Sequence, residues 1–379
     1  MTDANWSVPE TEVLTGVRDV LESDLRGVLA TIIEVEGSAY RRPGAKMVIP
    51  EDGDGVGHIT AGCLEDEIQK IAGEVLEDGR PRIETYDLRP DGEDDVWGLG
   101  VGCNGVITIL LEPLDPSYER VVDAHEAGED VGVVSVVESD GDEASVGARA
   151  YYDPVADAFD LGERFPADLA ERVREATREL VDRGRSDSLE VDDLTVFVDG
   201  VAAPDDLVLV GTGHDVGPMA ELGSQADFRV TVIGFRGANA KADRFPDADD
   251  VRSTSPARID EAFDFDSNTY VVVATHNFID DRLAVDELLG TDAPYVGLMG
   301  PHERFEEMVE EFESEGRTFS EAELDRVYTP VGLDLGGGSP YEIALSIVGE
   351  VMAVANDREP RHLREREGRI HDRVEVSPE

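Results

Sequence analysis

Apolar residues recur every three or four positions through residues 11–23, "TEVLTGVRDVLES", which predicts a short amphipathic helix. The run "VLATIIEVEG" that follows is apolar enough for a buried strand ending at Gly37. "AKMVIP" and "GVGHIT" read as short strands around an acidic turn. Helical periodicity returns in "LEDEIQKIAGEVLEDG", with Leu64, Ile68, Ile71, Val75 and Leu76 on one face. The glycine-rich "GLGVGCNG" then enters another strand, "GVITILLEPL". Together these predict an α+β domain over residues 1–115.

Residues 116–203 show less contrast and read as an intermediate acidic α/β segment and linker. They hold an acidic helix or hairpin, a strand-like "VGVVSVV" and a helix around "PADLAERVREATRELVDRG". The strand in "LTVFVDGVAAPDD" runs into a proline- and acid-rich break, which marks the domain boundary. From 204 to 356 strands and helices alternate: "LVLVGTG", "FRVTVIGF", "YVVVATHN" and "PYVGLMG" are continuous apolar runs, as a parallel sheet covered on both faces requires. The expected fold class is therefore α/β overall, an N-terminal α+β domain followed by a Rossmann-like, doubly wound parallel-sheet domain. The last helix, "SPYEIALSIVGEVMAVA", has Ser339 to cap it, Pro340 at its first position and Glu342 to complete a capping box. Residues 357–379 form a charge-balanced tail.

Charge changes this picture most. The 379 residues carry 86 Asp and Glu against 33 Lys and Arg, a formal net charge of -53. Such a surface suits a cytoplasmic protein from an organism with high internal salt, where screening tolerates close like charges. It argues against nucleic-acid binding and against anionic membranes, both of which need Lys and Arg. No run of 18 apolar residues predicts membrane insertion, and "MTDANWSVPE" lacks the character of a secretory signal. Two cysteines, Cys63 and Cys103, make neither a disulfide framework nor a zinc signature.

Against that background, residues 37–50, 55–64 and 96–111 contain no Asp or Glu at all. Core strands explain part of this, but not "SAYRRPGAK" or "GLGVGCNG". An anionic ligand would be repelled by carboxylates there, so the gaps mark a candidate anion site with Arg41, Arg42, Gly44 and Lys46 at its edge. The alternative is a surface loop whose arginines pair with nearby acids. Cys63 follows Gly62 immediately before a predicted helix, where a thiolate is favoured. Cys103 sits between glycines. Either cysteine can ligate a soft metal, receive sulfur or join a redox pair, or it is simply a small buried apolar residue.

In the second domain "VLVGTGHDVG" runs from a strand into Gly211, Gly213 and Gly217, a turn that lets backbone N–H groups approach a phosphate. The next strand ends in Gly234 and Arg236 instead of an acid, so an arginine is offered to a 2′-phosphate, as in NADP sites. A tight turn with no dinucleotide explains the same glycines. His276, in "ATHN", and His214 would lie at the strand ends where such sheets bind ligands, His276 as an acid–base or phosphate-contacting residue. A histidine satisfied by a backbone carbonyl explains either equally well.

Taken together, these segments resemble the XdhC/CoxI family, accessory proteins of molybdenum hydroxylases such as xanthine dehydrogenase and carbon monoxide dehydrogenase. The likeness rests on "GSAYRRPGAKMVI", "GHITAGCLEDEI" and "GVGCNGVITILLEP" in the first domain. In the second it rests on "VLVGTGHDVGPMAELG", "VVVATHNFIDD", "YVGLMGPHERFEE" and "VGLDLGGGSPYEIALSIVGEVMA". The resemblance implies a homodimeric chaperone that binds molybdenum cofactor (molybdopterin), supports its sulfuration with a cysteine desulfurase or other sulfur donor, and delivers it to an apo molybdenum hydroxylase. It implies no hydroxylase activity of its own. Carried over by motif, Cys63 is the functional and metal-proximal cysteine and Cys103 a second. Arg42, Pro43, Gly44 and Lys46 match the basic loop, Gly211 and Gly213 the Rossmann turn, and His276 the strand-end motif. On this reading Arg42 and Lys46 contact the anionic part of the cargo. Asn277 and Gly234 depart from the family pattern, each removing a carboxylate. Competing readings are an NADP-dependent oxidoreductase and a non-catalytic scaffold.

Overall fold

The computed structural model describes residues 8–89, 104–139, 144–162 and 164–365. The chain separates into two compact units at Ala203 and Pro204.

Unit 1 begins with helix α1 (Glu10–Glu22), strands β1 (Gly27–Ser38), β2 (Lys46–Pro50) and β3 (Val56–Gly57), and helix α2 (Glu65–Asp78). Strands β4 (Arg82–Asp87) and β5 (Asn104–Pro113) complete an antiparallel sheet of order β3-β2-β1-β5-β4. Helix α2 buries Ile68, Ile71, Ala72, Val75 and Leu76 against Val28, Ala30, Ile32, Ile107 and Ile109 of this sheet. It stops at Gly79, whose φ of 64° is the left-handed conformation glycine adopts without strain.

The acidic segment 116–203 is no linker. It forms α3 (Glu119–Ala127), β6 (Val131–Ser139), β7 (Arg149–Asp153), β8 (Ala158–Leu161), α4 (Ala167–Asp182), β9 (Ser186–Val191) and β10 (Leu194–Val201). Its strands make a second antiparallel sheet, β8-β7-β6-β10-β9, covered on one face by α4. The other face meets the first sheet, with Ile33 and Leu110 against Val137 and Phe197. Helices α1 and α3 share a neighbouring apolar cluster with Leu29, Val48, Val133 and Tyr151. Unit 1 is thus layered as α2, first sheet, second sheet, α4.

Between the two sheets lie ions. Arg149 meets Glu112 at 2.8 Å and Lys46 meets Asp199 at 2.8 Å, each pair joining one sheet to the other. Burial pushes the Glu112 carboxyl up against the pull of Arg149. Strand β1 also carries a bulge: Ile32 pairs with Ile109 and Glu34 with Thr108, so Ile33 has no counterpart on β5.

Unit 2 runs β11 (Asp206–Val210), α5 (Val216–Gln225), β12 (Arg229–Gly234), β13 (Asp250–Ser253), β14 (Thr269–Val273), α6 (Phe278–Leu288), β15 (Tyr295–Leu298), α7 (His302–Ser314), α8 (Glu321–Leu324), β16 (Val327–Tyr328) and α9 (Pro340–Ala355). The strands pair in parallel in the order β13-β12-β11-β14-β15-β16. Alternate residues supply two cores: Val208, Val210, Val271 and Val273 face α6 and α7, whereas Leu207, Leu209, Val230 and Val272 face α5 and α9. This is the Rossmann-like architecture. The chain reverses its direction of winding between β11 and β14, and their C-terminal ends flank the crevice where such sheets take ligands. Ser339, Pro340 and Glu342 make the capping box that starts α9. Among the described residues no helix is long and apolar enough to cross a membrane.

Candidate functional site

The pairing of the first sheet brings separate stretches of sequence to one end of unit 1. Ser38, the last residue of β1, pairs with Asn104, the first of β5. Cys103 itself lies outside the described residues. The basic loop, residues 39–45, returns to β2, and β2 pairs with β3 through Met47 and Gly57. The chain then turns through Thr60–Leu64 into α2. Ala39 and Cys63 both pack on the core beneath the sheet's α2 face. His58 links the two stretches, with its ring 5.8 Å from that of Tyr40 and its Nε2 3.2 Å from Arg41 Nη1. Two of the acid-free windows are therefore neighbours in space.

The cysteine turn is held from within. Glu65, 1% exposed, accepts hydrogen bonds from the Thr60 amide at 2.8 Å, the Thr60 hydroxyl at 2.7 Å and the Leu64 amide at 3.1 Å. Thr60 Oγ1 in turn accepts from the Cys63 amide at 3.1 Å. The Thr60, Cys63 and Leu64 amides leading into the helix are thus engaged by the protein's own oxygens. Gly62 has a φ of 98°, and an added Cβ would meet nothing within 4 Å, so this side of the turn is open. Cys63 is a free, half-buried thiol beside it. Among the described residues no group of three or more His, Cys, Asp and Glu side chains is gathered as for a metal ion.

The two arginines of the basic loop and Lys46, which opens β2, have different fates. Lys46 is not at the rim: its side chain is 9% exposed and bonded to Asp199, itself 6% exposed. Its Nζ also donates to the Gly44 carbonyl at 2.8 Å. The expectation that Lys46 contacts the cargo is corrected accordingly, because a buried ammonium with a buried counter-ion has no reach to solvent. Arg41 pairs with Glu10 as well as His58. Arg42 is exposed, and its guanidinium has no partner among the described residues. Gly44, at φ 93°, presses on the second sheet, since a Cβ there would lie 2.5 Å from Ser186 Oγ.

In unit 2 the glycines divide. Gly211 is required, because a Cβ would come within 2.4 Å of the Ala274 carbonyl on the adjoining strand end. At Gly213 a Cβ would fall 2.2 Å from Asp215 Oδ1, so a carboxylate lies over the turn where a phosphate was expected. Gly217 has open space around it and His214 is exposed. His276 Nε2 lies 2.9 Å from Asp215 Oδ2 across the crevice, and its φ of 57° is left-handed. Asn277 accepts from the amides of Ile279 and Asp280 and so caps α6. Behind this loop Asp281, 1% exposed, joins Thr275 to Arg304.

Arg236, the candidate for a 2′-phosphate, is bonded instead to Asp280 at 2.7 Å. Gly234 leaves no room for the acid of an NAD site: a Cβ would meet Thr212 Cγ2 at 2.6 Å and Ala240 Cβ at 2.8 Å. The sequence reading missed His58, Glu65, Asp199, Asp215, Asp281 and Arg304. His58 lies inside an acid-free window and was legible on that ground. Glu65 acts within its own turn, on Thr60 and Leu64, whereas Asp199, Asp215 and Arg304 act on residues brought near by folding.

Known proteins agree with this architecture. Residues 207–351 match the model of the XdhC Rossmann domain, and residues 20–87 that of the XdhC and CoxI family. A solved structure named as a xanthine dehydrogenase from Bacillus halodurans is 30% identical and superposes with a TM-score of 0.73, covering 92% of this chain and 96% of its own. A Bacillus subtilis protein named as a probable xanthine dehydrogenase subunit is 29% identical over 88% of this chain and 94% of its own length. The "Molybdenum cofactor insertion chaperone PaoD" of Escherichia coli is 35% identical over 30% of this chain and 36% of its own length. With both halves matched in order and one relative aligned almost end to end, the chain belongs to the XdhC and CoxI family.

Proposed function

We propose that this protein is an insertion chaperone for molybdenum cofactor, which it holds at one end of the first sheet of unit 1 and passes to a hydroxylase of the xanthine dehydrogenase type. The observation that carries the reading is the meeting of the Cys63 turn with the basic loop in an acid-free patch of a chain whose net charge is -53. The relative named as a molybdenum cofactor insertion chaperone supports it. The residues suit the cargo. Cys63 is a soft donor for the metal, Arg42 a cation unpaired among the described residues for the phosphate, and Tyr40, 59% exposed, a flat surface for the pterin. The metal and its dithiolene carry the redox chemistry of the client enzyme. The chaperone's residues bind, orient and shield.

On this reading the protein acts in the cytoplasm as a homodimer, and a cysteine desulfurase or similar donor supplies sulfur while the cargo is held. Protein purified without oxygen from cells making the cofactor should contain bound pterin by mass spectrometry, and Cys63→Ser should contain several-fold less. Pterin-free protein, with unimpaired hydroxylase in a deletion strain, would remove the proposal.

NADP binding in unit 2 is disfavoured by Asp215 over the glycine turn and by the Arg236–Asp280 pair. Calorimetric titration with NADPH in high salt should give no heat of binding.

A further inference from the structure

We infer that Asp199 and Ser186, on the second sheet of unit 1, are positioning residues for the loop 39–45; this rests on reading that loop as one wall of the cofactor site. The loop's far limb is clasped at Gly44 by groups that a single carboxylate organises. Asp199 Oδ2 holds the Lys46 ammonium at 2.8 Å, and the same ammonium donates to the Gly44 carbonyl at 2.8 Å. Asp199 Oδ1 accepts the Ser186 hydroxyl at 2.8 Å, and that hydroxyl lies against the Cα of Gly44, where a Cβ would come within 2.5 Å. Asp199 and Ser186 face each other in the pairing of β10 with β9, so both are fixed by the second sheet. The clasp continues into β1, where the Gly44 amide donates to the Ile32 carbonyl at 2.8 Å and the Ala45 carbonyl accepts from the Ile32 amide at 2.9 Å.

The ionic character of this contact has a specific consequence. Two sheets can be held together at least as well by apolar side chains of similar volume. Apolar side chains cannot hold the Gly44 carbonyl in a fixed direction, and that direction sets how the turn carrying Arg42 leaves the sheet. A protein needing only cohesion would have no use for the pair. A protein needing Arg42 aimed does.

The test uses the full chain and two readouts, native hydrogen exchange by residue and pterin content after anaerobic purification. Lys46→Met with Asp199→Leu keeps volume and removes the charges together. We expect the amides of β6 and β10 to keep their protection, while exchange at Gly44 and Ala45 rises about tenfold and pterin content falls. Ser186→Ala, a milder change, should loosen the same two amides by about threefold. Exchange at Gly44 and Ala45 unchanged in the single variant, or raised equally across both sheets in the double, would overturn the positioning role. A loosened loop with undiminished pterin would leave that role standing and remove the cofactor reading instead.

Discussion

His276 Nε2 and Asp215 Oδ2 stand 2.9 Å apart, so the loops after two adjacent parallel strands are tied together across the crevice of unit 2. The tie holds a histidine at φ 57°, where Asn is well tolerated and β-branched residues are strained. His276→Asn should therefore cost no more than about 1 kcal/mol. His276→Val should cost about 2 kcal/mol or more, combining lost bond and strained backbone. Urea unfolding, followed through exchange of β11 and β14 amides, measures both; equal costs would refute the backbone argument.

The glycine fingerprint divides into a necessary and a dispensable member. Gly211→Ala would drive a methyl group into the Ala274 carbonyl, and we expect a loss of about 2 kcal/mol or more. Gly217→Ala, at a helical position with open space, should stabilise by up to about 1 kcal/mol. Thermal denaturation of the two variants beside the wild type checks the opposite signs.

Lys46 and Arg42 stand four positions apart but should behave as different kinds of residue. Lys46→Ala leaves Asp199 buried without a counter-ion and should destabilise unit 1 by about 3–5 kcal/mol. Arg42→Ala should leave stability within about 0.5 kcal/mol of wild type while lowering pterin content. Denaturant titration with pterin analysis separates the two; similar stability losses would contradict the placement of Lys46.

Asp281 gives a pH dependence. Burial raises its carboxyl above the ordinary 3.8, and the bonds from Thr275 and Arg304 offset this only in part. Between 3.8 and the higher folded value, the native state keeps a proton that the unfolded chain has released. The unfolded chain then binds fewer protons, so this residue's contribution to stability falls as pH rises through that window. Asp281→Asn has no such titration. The stability of wild type minus that of the variant should decrease as pH rises above 3.8, and a difference that rises would reverse the assignment.

The fold was legible where one element's own residues decide it. Leu64, Ile68, Ile71, Val75 and Leu76 all lie on the buried face read from their spacing, and the α9 capping box formed from three local residues. What stayed hidden depends on partners distant in sequence. Lys46 looked like a surface cation because the residue that buries it, Asp199, is 153 positions away on another sheet. Asp215 looked like part of a phosphate turn because His276, which it bonds, enters from the next strand but two. The acid-free windows holding the Cys63 turn and the basic loop, by contrast, do lie beside each other in the first sheet's domain.

The unpaired Ile33 of β1 marks a place where this strand holds one residue more than its partner counts. Val28, Ala30 and Ile32 face α2 before the bulge and Val35 after it, so one extra residue switches which positions point to that core. Loss of that single residue would put Glu34 directly after Ile32 and restore plain alternation, with Val35 still facing α2 and the pairing of Glu34 to Ser38 unchanged. Any further single insertion would need a bulge of its own to keep the loop leaving from the same face. The direction in which Arg42 is presented thus depends on counting as well as on contact.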